Sequence, residues 1–389
     1  MRKTGLIKLL SIVCLYSLAV SAVCSTIEGD DIKVVNQAKS DTPERVVLEG
    51  VPKIGYGVGT AVGSVTSFPI ALWSCMKFLG EDYSVDYVFC TSGGAFRLLW
   101  KQWYVDNVVF VWSDKPGESF HWALEILGYN CEYIAKEEGL DNETNFRNRI
   151  TESIRKGRPV LAQGVVGPPE WSIITGYDEY GDVLIGWSYF EGNEFEPSGY
   201  FRQRDWFSNT HNLIIIGEKQ EKLPLTEVYH KTLKLAVKIA RTPLARERAA
   251  GIAAYKAWAD SLLSEEEFPT GQTSVALQHL RSHDEVMNVV AEGRWCAWQF
   301  MKQMAKDEPA IAKELLAAAS CYEAEYNLIW QGWNLADIGY APFSEVEAKK
   351  FAEPDIRHQI ADFILQAGDK DKEATNYLEQ ALAKIESRK

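Results

Sequence analysis

Three runs decide the fold: Pro159-Val160-Leu161-Ala162-Gln163, Trp171-Ser172-Ile173-Ile174-Thr175-Gly176-Tyr177-Asp178 and Asp182-Val183-Leu184-Ile185-Gly186-Trp187. They are apolar and rich in β-branched residues, which stiffen at χ1 and pack well on a pleated surface. Gly-Tyr-Asp and Tyr-Gly-Asp punctuate the last two, so the pattern predicts neighbouring antiparallel strands joined by tight turns. Asn212-Leu213-Ile214-Ile215-Ile216 reads as a further strand. Upstream, Ser67-Phe68-Pro69-Ile70-Ala71-Leu72-Trp73-Ser74-Cys75-Met76-Lys77-Phe78-Leu79-Gly80 carries Pro in its first turn and Gly at its end. Helix termini favour that asymmetry, and a helix is predicted there, with a second over 119–127.

Beyond the charged stretch Glu218-Lys219-Gln220-Glu221-Lys222-Leu223-Pro224 the period changes. Residues 226–240, 245–263, 274–305, 307–335 and 355–385 read as long amphipathic helices, and short connections make them an antiparallel bundle. The fold class is therefore α+β followed by all-α. The expected divisions are a signal peptide over 1–22, a flexible linker over 23–46, an α+β domain over 47–217 and an α-helical domain over 225–389. The signal is read from Arg2, Lys3 and Lys8 beside the apolar 9–23 stretch, with Val20-Ser21-Ala22 as the cleavage pattern. Secretion or a periplasmic location follows. Ser21 stands where lipidation wants Leu, which argues against Cys24 as a lipid anchor.

The 389 residues carry 41 basic and 54 acidic side chains, net −13, and removing 1–22 takes away three cations and no acid to reach −16. Phosphate neutralisation needs a basic surface, so nucleic acid is excluded as a whole-protein partner. The apolar run is shorter than the ~20 residues of a bilayer span, so the mature chain is not membrane-embedded. Seven cysteines show no Cys-x-x-Cys pair and no zinc spacing, and no metal or cofactor is implied. His279 and His283 share a helical face beside Asp284 and Glu285, but no third ligand is apparent and a solvated polar face is expected. The glycines of Gly55-Tyr56-Gly57-Val58-Gly59 lack the βαβ context of a dinucleotide loop and read as a loop bordering a cleft.

The order of a helix opened by a short polar motif, a long middle, Gly157-Arg158-Pro159-Val160-Leu161 and Trp171 to Asp178 resembles the papain-like fold of bacteriocin-processing peptidases. With its helical second half, the chain resembles the butirosin biosynthesis protein H N-terminal domain family. The resemblance implies a Cys at the start of the first helix, a His at the head of the strand before Gly-Tyr-Asp, and an Asp or Asn on the next strand. Those positions hold Ser67, Glu170 and Trp187. The usual oxyanion Gln is missing from the Gly57-to-Gly63 region. An ordinary carboxylate, with pKa about 4.3, is a poor base for a hydroxyl.

The expected function is thus an exported papain-like protein without the Cys-His-Asp/Asn site, a pseudoenzyme that binds a small-molecule or peptide ligand. Ser67 and Glu170 mark the degenerate catalytic positions, and Trp171, Asp178, Trp187 and Glu191 are the candidate ligand-binding residues. Aromatic faces next to carboxylates suit sugars or cations, and they equally suit plain packing. Two alternatives remain open: a hydrolase or acyltransferase using Ser67 or Cys75 with Glu170 or His121, and an interaction module. The second would dock a partner through Trp295, Trp298, Trp330 and Trp333 of the helical half.

Overall fold

The computed structural model describes residues 43–56, 63–136, 142–190, 199–335 and 342–387. The expected signal peptide, most of the linker, Cys24, the glycines of 57–62 and Glu191 lie outside the described residues. Strands β1 (Val46–Val47), β2 (Gly55–Tyr56) and β3 (Gly63–Ser64) precede helices α1 (Ser67–Phe78) and α2 (Val85–Thr91). Next come β4 (Leu99–Trp100), α3 (Glu118–Ile126), β5 (Tyr129–Ala135), α4 (Glu143–Arg155), β6 (Val160–Gln163), β7 (Trp171–Asp178) and β8 (Val183–Trp187). The sheet is completed by β9 (Tyr200–Gln203) and β10 (Asn212–Lys219), with the short α5 (Trp206–Asn209) between them. The second half holds α6 (Leu225–Arg241), β11 (Leu244–Ala245), β12 (Arg248–Ala250), α7 (Ile252–Leu263), α8 (Thr273–Asp307), α9 (Ala312–Asn334), α10 (Glu345–Phe351) and α11 (Pro354–Glu386).

The expected antiparallel sheet is present, in the order β5-β10-β6-β7-β8-β9 with β1 also on β7. Its central strands β6, β7 and β8 read as nearly unbroken apolar runs because both faces are covered. Alternate residues divide accordingly. Leu161, Ile173, Ile214 and Ile216 pack with Phe68, Ile70 and Leu72 of α1 and with Phe120 of α3. Val160, Ala162, Ile174, Leu213 and Ile215 pack with Phe146, Ile150 and Ile154 of α4. Period-two alternation thus seats α1 on one face and α4 on the other.

The helical half is not insulated from the sheet half: Pro43–Lys389 is one unit. Phe89 of α2 and the turn residues Ala95 and Phe96 share a core with Tyr229 and Leu233 of α6, Phe300 and Met301 of α8, Tyr322 of α9 and Leu378 of α11. The pattern change at 218–224 therefore marks a change of architecture across a shared core. Arg294 of α8, completely buried, ties this junction together. It donates to Glu325 (2.8 Å), Asp371 (2.9 Å), Tyr255 Oη (2.8 Å) and the Ala95 carbonyl (2.6 Å), joining α7, α8, α9, α11 and the 94–96 turn. Gly293 permits this approach, since a Cβ there would stand 2.9 Å from the Ala95 carbonyl oxygen.

The helix expected over 245–263 begins only at Ile252. Leu244 to Ala250 forms a hairpin instead, with Arg246 (φ 50°) and Glu247 (φ 59°) left-handed at its tip and Ala249 and Ala250 paired with Trp100 and Leu99. Its residues are good helix formers, but pairing with β4 and the Arg246 N–H bond to Asp114 Oδ1 override propensity. The imidazoles of His279 and His283 are also not on a solvated face. His279 stacks on Trp103 (4.4 Å) and His283 Nδ1 accepts from Trp258 Nε1 (3.2 Å), both inside the aromatic core. Desolvation lowers them to about 4 and about 3, so both are neutral. Among the described residues no helix is long and apolar enough to cross a membrane.

Candidate functional site

Helix α1 begins at Ser67, after Thr66 in extended conformation (φ −121°, ψ 109°). Thr66 makes no side-chain cap bond and the first turn holds no acid, so the positive end of the helix is met by groups from elsewhere. Glu170 is one of them. It immediately precedes β7, delivered by a turn containing Pro168 and Pro169 in which the β-branched Val165 adopts φ 70°. The Ser67 hydroxyl donates to Glu170 Oε2 and accepts the Trp171 backbone N–H at 3.0 Å. The two sequence positions singled out 103 residues apart are therefore in direct contact. Ser67 is 3% exposed, and burial raises the Glu170 carboxyl, opposed by the Ser67 bond and by Arg97.

The opposite wall comes from α8. Glu292 Oε1 accepts the Val65 N–H (3.2 Å) just ahead of α1, and the Ser64 and Thr66 hydroxyls lie beside its carboxyl. Its Oε2 has no partner and neither does the Thr66 hydroxyl. Desolvation pushes Glu292 up to about 7. Glu285, two helical turns earlier on the same face, is also raised to about 7, by desolvation and then by Asp284 and Glu170; it is exposed, which fits a carboxyl at the mouth of a recess. Asp284, which accepts from Asn288 Nδ2, is raised to about 6 by desolvation. Arg97, 2% exposed, faces Glu292 and Glu170 across space, and its Nε and Nη2 lack hydrogen-bond partners.

Tyr189 and Tyr56 complete the surroundings. Tyr189 Oη donates to the Ser64 carbonyl (2.6 Å), and the Tyr56 N–H donates to the Tyr189 carbonyl (3.0 Å) with their rings edge to face. Desolvation raises Tyr56, and the charges of Asp284, Glu285, Glu292 and Glu170 add to it. The Tyr56 ring remains 62% exposed above this acidic group. Among the described residues the assembly places several carboxyls around a helix start, with the Arg97 guanidinium to offset them.

The other expected residues fall differently. Trp171 is 3% exposed with its ring edge to face on Phe68 (5.4 Å) and Phe120 (5.0 Å), so its side chain is core and only its backbone serves the site. Trp187, paired with Ile173, ends β8 at the same end of the sheet as Glu170. Its indole N–H is held by the Val51 carbonyl (2.8 Å) and its ring meets Tyr200 (4.6 Å). Asp178 closes the far end of β7, roughly 25 Å of strand away, in ion pairs with Arg45 and Arg202 (both 2.9 Å). It is thus not part of this site. Cys75 is completely buried in α1, its thiol raised by desolvation, and His121 contacts Cys131 instead of the site.

Sequence reasoning missed Glu292 and Arg97 and gave Asp284 and Glu285 a different context. Val289-Val290-Ala291-Glu292-Gly293-Arg294 did carry a signal: charges flanking a glycine within an apolar helical run are expensive to bury unless another element meets them. Compared with protein-family models and with curated proteins, the sequence matches none.

Proposed function

We propose that this is an exported protein with a papain-like domain, similar to the butirosin biosynthesis protein H N-terminal family, that binds a small-molecule or peptide ligand at the start of α1 without cleaving it. Ser67, Glu170 and Trp187 stand in this reading at the nucleophile, base and orienting positions. The observation that carries it is the state of the Ser67 hydroxyl, buried and engaged on both sides, as donor to Glu170 and acceptor from Trp171. A nucleophile needs a free lone pair, an approach path and a base that is itself oriented. Here one of the two lone pairs meets the Trp171 N–H, burial at 3% exposure closes the approach path, and Trp187 is bonded to Val51 and gives Glu170 no orienting partner. The antiparallel sheet packed on a helix that starts at Ser67 supports the papain-like assignment.

The ligand's charged part is cationic. Among the described residues, Glu170, Asp284, Glu285 and Glu292 are grouped near the start of α1 with Arg97 opposing them, and the exposed Tyr56 ring offers a face on which an ammonium or guanidinium group can rest. The test uses purified protein against peptide and thioester substrates, a fluorophosphonate probe, and thermal-shift binding of alkylamines and arginine peptides. No turnover and no Ser67 labelling are expected, with amine binding weakened by Glu285→Gln. Peptidase or acyl-transfer activity abolished by Ser67→Ala or Glu170→Gln would establish the hydrolase or acyltransferase reading in its place.

A further inference from the structure

A second reactive constellation lies where α3 turns back into β5. Helix α3 ends at Ile126, and Gly128 (φ 82°) donates to the Glu125 carbonyl (3.0 Å) as the chain reverses. That reversal lays β5, the edge strand of the sheet, beside the helix that precedes it. Cys131 of β5 thereby comes to His121 of α3, with Sγ 3.1 Å from Nδ1. The thiol also points towards the Phe120 carbonyl at 4.0 Å. His121 is exposed and Cys131 half-buried, whereas Cys75, Cys90, Cys296 and Cys321 are buried at 6% exposure or less. Cys131 therefore combines access with an imidazole nitrogen held in contact by two regular elements.

We propose that Cys131 and His121 form a modifiable thiol site, independent of the α1 recess, that takes small soft electrophiles and peroxides. The thiol proton passes to His121 Nδ1 as the sulfur attacks. With hydrogen peroxide the S–O bond forms and the O–O bond breaks. The departing hydroxide takes the proton from the imidazolium and leaves as water, so the sulfur is oxidised by two electrons to sulfenic acid while the peroxide is reduced. Exposure of the imidazole lets it exchange protons with solvent between events.

Burial, with Glu125 adding to it, pushes the Cys131 thiol up to about 12, so attack depends on the imidazole more heavily than for an ordinary surface thiol. Glu125 is itself paired with Lys231 of α6 (3.4 Å), which damps its influence.

The test is the rate of iodoacetamide labelling of each cysteine in the native full chain, read by peptide mass spectrometry, with peroxide followed by dimedone as the oxidative arm. Cys131 is expected to react about tenfold or more faster than the four buried cysteines, and His121→Gln to lower its rate about tenfold. Equal rates at the five described cysteines, or an unchanged Cys131 rate in His121→Gln, each overturns the proposal. Should His121→Gln unfold, all five described thiols would label together, and the ratio of the Cys131 rate to that of the four buried cysteines in the native protein decides alone.

Discussion

Replacing Glu292 by Gln tests the electrostatics of the recess most directly. The carboxyl is raised from an ordinary 4.5 to about 7, chiefly because burial penalises its charge. A group held above its unfolded value keeps its proton longer in the folded state. Below pH 4.5 both states are protonated and nothing is lost; between 4.5 and 7 stability falls as pH rises; above 7 the full cost is present. At about 1.36 kcal/mol per pKa unit the cost reaches about 3 kcal/mol at pH 8. Glutamine keeps the shape and can still accept the Val65 N–H, yet carries no charge. Glu292→Gln should therefore raise the melting temperature at pH 8 by roughly 5 °C and change it little at pH 4.5. Thermal unfolding of both proteins across pH 4.5–8.5 supplies the comparison. A variant no more stable than the parent at pH 8 would refute the reasoning, because it would mean that Arg97 and the helix start already compensate the ionised carboxylate. A cationic ligand should also raise the melting temperature of the parent more at pH 8 than at pH 5, since its partners ionise over that interval.

Two further outcomes follow from burial. Arg294→Met strips the partner from Glu325 and Asp371 and should cost about 3–5 kcal/mol in urea unfolding, and adding Glu325→Gln and Asp371→Asn should restore much of it. A neutral single variant would show that the buried ions are not coupled through Arg294. Trp333, 5% exposed beside Phe343 and Trp330, should cost about 3–5 kcal/mol when cut to Ala, while Trp295, 45% exposed, should cost under about 1 kcal/mol. Equal losses at the two positions would contradict the division of these tryptophans between core and surface.

Much of the architecture was legible along the chain because its signals are local. The helix at Ser67 follows from Pro in its first turn, and the strands at 160, 171, 183 and 212 follow from β-branched runs between turn residues. Strands β5 and β9 were missed because Tyr129-Asn130-Cys131-Glu132 and Tyr200-Phe201-Arg202-Gln203 mix polar and aromatic residues and take their state from the neighbours they pair with. The hairpin at 244–250 escaped for the same reason: Ala-Arg-Glu-Arg-Ala prefers a helix until β4 is beside it.

The sequence by itself determined an acidic chain with an antiparallel sheet, a helix starting at Ser67 and a long helical second half, since each rests on the period and composition of contiguous residues. It also marked Ser67 and Glu170 as a matched pair of positions. Only the tertiary structure decided that their side chains touch, that Glu285 and Glu292 of α8 complete the same recess, and that Trp171 and Asp178 do other work. Burial and charge at a site depend on which distant surfaces meet there, and a carboxyl 122 residues beyond Glu170 acquires its altered acidity only once folding has removed its water.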